Sequence, residues 1–316
     1  MMNKSKMEFC DFTFNPVTGC RAGCEYCYAA RQVKRFSGDV RINKGSDQLQ
    51  KDENGLYILE KPFKNQSDKV IPDPVGFEPI MHKYRLAMPS QKKKPANIFV
   101  CSKADLFGAW VPDSWIEEVF KACDAAPWHN YLFMTRYPRR YELMSSMLRL
   151  PCSGNFWYGT TITRNSDLDQ IVFLPRTQHN QFISIEPLLE EIDMSDIDFM
   201  DWIIIGAETS NRRGKVKPKR EWIEAILQVA RSSEIPIFMN YSKELEEIWG
   251  KDLIQEFPAG LTRPEDKPIP HCRDCKYCKI TQEGKRGNRH ECKKEGKHIP
   301  GRYARTSPAW CPLRSE

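Results

Sequence analysis

Three cysteines at the spacing Cys20-x-x-x-Cys24-x-x-Cys27, with Tyr26 immediately before the last, constrain this chain more than any other feature. Three thiolates in so short a stretch can hold a metal cluster while leaving one metal position without a protein ligand, where a cofactor or substrate can bind. Ahead of the motif, Phe12, Phe14 and Pro16 alternate with polar neighbours and predict a short strand, and Val17, Thr18 and Gly19 predict the turn into it. From Cys24 to Phe36 (CEYCYAARQVKRF) good helix formers run without Pro or Gly, so a helix is predicted to begin inside or just after the motif. The expected order is strand, cysteine loop, helix.

The rest of the chain must build a frame around that loop. Its 316 residues, 40% hydrophobic and 11% aromatic, suffice for one large core and a small accessory unit. No apolar run approaches the roughly 20 residues that span a bilayer, and the start (MMNKSKMEFCDF) lacks the apolar stretch of a signal peptide. The expectation is a soluble, cytoplasmic protein with no membrane partner. Twelve cysteines fall in two groups plus the isolated Cys10, Cys101, Cys123 and Cys152. In a reducing compartment such grouping favours metal binding over disulfides, and the isolated four are read as small buried hydrophobes.

Short apolar strands alternate with helical patterns along the chain. Strands are predicted at Asn97–Cys101, Tyr131–Met134, Phe156–Gly159, Phe182–Ile185, Trp202–Ile205 and Ile235–Met239. Helices are predicted at Ser114–Ala126, capped by Ser114, at Pro138–Leu148, at Ser166–Phe173 and at Pro218–Ser232. Parallel strands need crossover connections, so this alternation predicts an α/β fold, a partial or complete β/α barrel over residues 1–260 with an insertion at about 38–96. The insertion begins with a polar stretch (GDVRINKGSDQLQKDENG) expected to be a mobile loop, with a strand at Tyr57–Phe63 and order at Phe77–Tyr84. It is either a lid over the cysteine loop or a surface elaboration.

Ligands of such barrels gather at the C-terminal strand ends. The polar residues there are Ser102, Asp105, Thr135, Arg136, Thr161, Thr163, Glu186, Glu208, Thr209, Asn240 and Tyr241. Thr161, Thr163 and Thr209 also fit plain helix caps. Glu186, between an apolar run and Pro187, needs a partner if it is buried.

Cys20-x-x-x-Cys24-x-Tyr26-Cys27 after a first strand resembles the signature of the radical S-adenosylmethionine (radical SAM) superfamily. The resemblance implies a barrel of the radical SAM type and a 4Fe-4S cluster held by the three cysteines. S-adenosylmethionine would chelate the fourth iron, an electron donor would reduce the cluster, and reductive cleavage would start hydrogen abstraction from a substrate. Cofactor-binding positions are then sought among Ser102, Asp105, Thr135, Glu186, Gly206 and Glu208. The segments FNPVTGC, CEYCYA, IFVCSKADLFGAWVP, PWHNYLFMTRYP, FISIEPLL and DWIIIGAETS further resemble a phage-associated three-cysteine family of unknown function. There are departures. Ser102 to Asp105 stand where many radical SAM enzymes have Gly-Gly-Glu, Gly206-Ala207-Glu208 where the phage-type family often has Gly-Gly-Glu, and Asn240-Tyr241-Ser242 where it tends to have Gln-Trp-Gly.

A structural zinc site is the other reading of the triplet, with His82 or a distant cysteine as fourth ligand. The second cysteine group is Cys272-x-x-Cys275-x-x-Cys278, then Cys292 and Cys311, with His271, His290 and His298 interspersed. It defines a Cys-rich metal-binding module over 261–316, holding zinc through Cys272, Cys275, Cys292 and Cys311, or an auxiliary iron-sulfur cluster that also recruits Cys278. From Lys267 to Glu316 there are 13 Lys and Arg against 5 Asp and Glu; with +6 for the whole chain, the remainder stands near −2. That surplus suits a nucleic-acid clamp, or a solvated basic tail. The expected function is a radical SAM enzyme acting on a nucleic acid or nucleotide. The alternatives are a zinc-dependent nucleic-acid-binding protein without radical chemistry and a peptide- or protein-modifying radical SAM enzyme.

Overall fold

The computed structural model describes residues 2–176, 178–195, 197, 199–261, 278–282 and 288–299. The chain divides into two compact units, residues 1–262 and 263–316.

In the first unit, β1 (Asn3–Lys4) pairs antiparallel with β2 (Phe12–Phe14), and β3 (Val17–Thr18) leads into the cysteine loop and α1 (Tyr28–Phe36). The inserted segment contributes α2 (Val40–Lys44), β4 (Gln50–Lys51), β5 (Tyr57–Leu59), β6 (Ile80–His82) and α3 (Met88–Gln91). The repeating part follows as β7 (Asn97–Val100), α4 (Asp113–Asp124), β8 (Asn130–Thr135), α5 (Arg139–Ser146) and β9 (Phe156–Thr161). A 3-10 helix (Asn165–Phe173) leads to β10 (Asn180–Ile185), β11 (Trp202–Ile205), α6 (Arg220–Ser232), β12 (Ile237–Met239) and α7 (Lys243–Trp249). The main sheet runs β1-β2-β7-β8-β9-β10-β11-β12, and every pairing after the first is parallel. This curled, unclosed sheet is a partial β/α barrel.

Both faces of the sheet are covered, which is why its strands read as continuous apolar runs. Ile98, Tyr131, Phe133, Ile183, Ile203 and Ile237 face the helices, packing with Ile116, Val119, Ile223 and Ile226. The alternate residues Phe99, Leu132, Trp157, Phe182, Trp202 and Phe238 cluster on the other face around Phe9 and Leu261. Phe9 meets Phe99, Trp202 and Phe238 edge-on at 5.6–6.3 Å between ring centres.

α1 begins at Tyr28, just after the motif as the sequence predicts, with Cys27 at the cap position and its sulfur accepting from Ala30 N. Other expectations shift. Ser114 does not cap α4: the helix already starts at Asp113 behind Pro112, whose fixed φ suits the entry, so Ser114 lies inside the first turn. Cys10, Cys101 and Cys123 are buried, but Cys152 is exposed. The polar start of the insertion is ordered: Asp39 caps α2, and buried Asn43 donates to Ser37 O and Pro74 O. The predicted strand at Tyr57–Phe63 is shorter, Tyr57–Leu59, and belongs to a second sheet, β3-β6-β5-β4, backed by Leu59, Phe63, Ile71, Val75 and Ile80.

The second unit contains an antiparallel meander of β13 (Cys278–Gln282), β14 (Asn288–Cys292) and β15 (Lys297–Ile299). Its register sets Cys278 opposite Cys292. Cys272, Cys275, Cys311 and His271 lie outside the described residues. Among the described residues no helix is long and apolar enough to cross a membrane.

Candidate functional site

The cysteine loop leaves β3 through Gly19, which is the one residue type the position accepts. Its φ is +87°, and a Cβ there would stand 2.0 Å from the carbonyl oxygen of Glu78. Two backbone bonds pin the entry: Gly19 N donates to Lys103 O at 2.9 Å and Cys20 N to Phe77 O at 3.0 Å. The loop is thus held between the end of β7 and the insertion. Lys103 strengthens that link through Asp73, a carboxylate with only 1% of its side chain exposed, at 3.0 Å.

All three cysteines are part-exposed. Amides point at two of the sulfurs: Ala22 N lies 3.4 Å from Cys20 Sγ, and Ala30 N lies 3.4 Å from Cys27 Sγ. Burial pushes the Cys20 thiol up to about 11 and the nearby Asp105 charge adds to this, against hydrogen bonds from the Ala22 and Asp105 amides. Burial also raises Cys24, although Arg136 pulls the other way. Thiols raised in this way are poor nucleophiles, since reactive cysteines have lowered values. Such thiols lose their protons when a metal binds. Among the described residues no group of three His, Cys, Asp or Glu side chains could hold a single metal ion. His82, the suggested fourth zinc ligand, is buried with its Nε2 2.9 Å from Thr18 Oγ1.

Asp105 ties the segment after β7 to the end of β8. Its carboxylate accepts from Thr135 Oγ1 at 2.6 Å, Arg136 N at 2.9 Å and Phe107 N at 3.2 Å, so Asp105 and Thr135 engage each other. Burial raises the Asp105 carboxyl, partly opposed by those same donors. The Arg136 side chain turns toward the motif: Nη1 donates to Tyr26 Oη at 2.5 Å, and Nη2 stands 3.3 Å from Asp167. Asp167 in turn accepts from Thr163 N and Oγ1, both at 2.8 Å. Ser102 Oγ donates to Asn15 Oδ1 at 3.1 Å, while its carbonyl accepts from Tyr28 Oη at 2.7 Å.

Across the sheet, Glu186 lies over Gly206. A Cβ at position 206 would meet the Glu186 Cδ at 2.5 Å, so glycine there admits the carboxyl. Asn240 Nδ2 donates to both carboxyl oxygens, at 2.9 and 3.2 Å. Burial pushes Glu186 up to about 7 against that amide, and the described residues supply it no ion pair. Glu208 behaves in the opposite sense. Burial would raise it, but hydrogen bonds from Ser210 and from Arg212 Nε (2.8 Å) and Nη2 (3.0 Å) outweigh burial and hold it below the usual range. Arg212 also stands 3.6 Å from Glu25 of the cysteine loop. Thr209 and Tyr241 are exposed, Thr161 is half-buried, and Tyr241 Oη donates to Glu246 at 3.1 Å.

Two residues that tie the motif down were not singled out in the sequence. Asp167 shows only as an acidic residue in a helical pattern, and Arg212 only as part of a basic run. The one available signal for Arg212 was its place four residues after Glu208 at a strand end.

No curated protein matches the chain. Among solved structures it is similar in layout to a spore photoproduct lyase variant with bound AdoMet and dinucleoside spore photoproduct: 9% identity, 93% of this chain, 72% of that chain, TM-score 0.39. A spore photoproduct lyase complexed with dinucleoside spore photoproduct has 8% identity, the same coverage and a TM-score of 0.39. Likenesses this low carry no function across. A family model described as protein of unknown function (DUF5131) matches residues 4–308, and the chain belongs to that family.

Proposed function

We propose that the chain is a radical SAM enzyme whose Cys20, Cys24 and Cys27 hold a 4Fe-4S cluster at the mouth of the partial barrel. The reading rests above all on the triplet itself: three part-exposed cysteines, two of them facing backbone amides, in a loop that follows the first parallel strand. The donor set fits, since amide N–H groups aimed at sulfur stabilise thiolates bound to a cluster. Bound there, the cluster and S-adenosylmethionine would supply one-electron cleavage and hydrogen abstraction. The chain's own contribution is binding, orientation and exclusion of water. Asp105, Thr135 and Arg136 fix the loop, and Tyr26 is held by Arg136. Ser102, Glu186, Gly206 and Glu208 are the remaining candidates to face the cofactor. Burial pushes the Glu186 carboxyl up to about 7. An electron donor is the implied partner, and a nucleic acid or nucleotide the preferred substrate class.

For the C-terminal unit we propose a metal-held module. Its support is the register that sets Cys278 directly across from Cys292, a separation at which two side chains can share one metal. Cys272, Cys275 and Cys311 would complete with Cys292 a four-cysteine zinc site, or an auxiliary cluster that also recruits Cys278.

Anaerobic reconstitution with iron and sulfide, followed by metal analysis and detection of 5′-deoxyadenosine after dithionite reduction, tests both. The expected result is four irons at the triplet and cleavage of S-adenosylmethionine. Unchanged iron content after Cys20→Ala, Cys24→Ala and Cys27→Ala would sink the enzyme reading and leave the zinc-dependent nucleic-acid-binding alternative.

A further inference from the structure

Positive charge is concentrated at two places beside the cysteine loop. Residues 28–44, from α1 through α2, hold five Lys and Arg against one Asp. Residues 211–220, the connection from β11 to α6, hold six Lys and Arg and no acid. Together they carry +10 in a chain of net +6, so everything else, basic C-terminus included, sums to −4. The contact between Arg212 and Glu25, at 3.6 Å, brings the second segment against the cysteine loop from which α1 emerges.

Part of this charge is already used within the fold. Lys215 lies 2.5 Å from Glu244, Lys217 lies 3.5 Å from Glu247, and Arg220 lies 2.8 Å from Glu224. Arg31, Lys34 and Arg35 on α1, and Arg213 on the loop, are exposed and carry no ion pair among the described residues. On α1 the buried residues are Ala29 and Val33, so the cations occupy the solvent face together with Tyr28 (47% exposed) and Phe36 (55% exposed). Solvated charge is the usual fate of a basic run. Here, however, the unpaired cations of α1 alternate with exposed rings on one side of the loop, and Arg213 adds an unpaired guanidinium on the other, a combination that can follow a phosphodiester chain and stack its bases. A membrane surface fits less well, because the continuous apolar side of α1, Ala29 and Val33, is consumed by the fold, and the rings left exposed, Tyr28 and Phe36, are interspersed with cations and do not form an apolar stripe.

We propose that α1 and the 211–220 connection form a cationic collar that seats a nucleic-acid strand across the mouth beside Cys20–Cys27. This deepens the enzyme reading by locating its substrate class on the first unit, and rests on that reading only for the mouth being a reaction site. Binding itself needs no bound cofactor.

The test uses the full chain and fluorescein-labelled 20-nucleotide single strands and duplexes, with anisotropy read between 50 and 200 mM salt. The comparison variant combines Arg31→Gln, Lys34→Gln, Arg35→Gln and Arg213→Gln, all at exposed positions. The variant is expected to bind at least about tenfold more weakly at low salt, with a log-log salt slope for single strands shallower by about 3. A second variant, with lysine at the three arginines, is expected to retain the slope. Two results overturn the proposal: no oligonucleotide binding by the unmodified chain, whether or not it binds phosphatidylserine vesicles, or unchanged affinity and slope in the glutamine variant. Iron content and 5′-deoxyadenosine are measured on the same samples. Collar-dependent binding by a chain that cleaves no S-adenosylmethionine supports the collar while sinking the enzyme reading.

Discussion

Asp105 and Glu186 are both carboxyls pushed upward by burial at the C-terminal edge of one sheet, yet their surroundings differ. Asp105 meets three donors, two of them backbone amides, and its own amide faces Cys20. Glu186 has one amide, from Asn240, and lies over a glycine that leaves it room. The first arrangement opposes desolvation with three donors that join the segment after β7 to the end of β8, so it is a fastening. The second opposes burial with one side-chain amide, and burial pushes Glu186 up to about 7. One wall is knit by several donors, and on the other a single amide opposes burial.

The sharpest way to break this comparison is to disturb the fastened wall at its tightest point. Gly19→Ala forces a Cβ into the Glu78 carbonyl at a φ that L residues rarely adopt. The expected loss is about 3–5 kcal/mol in urea unfolding, together with loss of metal uptake. A near-neutral effect would mean that the loop is not held between β7 and the insertion. Next comes Asp105→Ala, which strips the acceptor from Thr135, Arg136 N and Phe107 N. About 2–4 kcal/mol is expected, with Asp105→Asn costing less because one carbonyl oxygen still accepts.

The parallel sheet was legible because its strands are buried on both faces and leave unbroken apolar runs, as at Phe182–Ile185 and Trp202–Ile205. The cysteine loop was legible from spacing alone. What could not be read was partnership. Asp105 and Thr135 both looked like strand-end ligands, and nothing in the sequence says that they bond each other at 2.6 Å. The order in residues 38–55 was hidden for a related reason. It depends on Asn43 reaching the carbonyl of Pro74, a contact made by a turn of the chain and not by local propensity.

On the Glu186 wall the effect depends on pH. The folded Glu186 sits near 7, above its ordinary 4.5, so the folded state binds the extra proton between those values. Stability contributed by the neutral carboxyl is full below about pH 4.5 and is lost as pH rises through 7, by at most about 3 kcal/mol. Glu186→Gln, neutral throughout, should flatten that part of the curve. Unfolding measured from pH 4.5 to 8.5 for both proteins checks it, and parallel curves would show that Glu186 titrates normally.

The smallest expected effect separates the two walls most finely. Asn240 supplies the hydrogen bonds that lower Glu186, one to each oxygen, and they are strongest when the carboxyl is charged. Asn240→Ala should therefore raise Glu186 further and cost more at pH 8 than at pH 5. Roughly 1–3 kcal/mol is expected at the higher pH, where a charged acceptor loses its donor, and under about 1 at the lower. Equal losses at both pH values would mean that Asn240 only fills space. Glu186 would then be as fixed as Asp105, and the distinction between the walls would disappear.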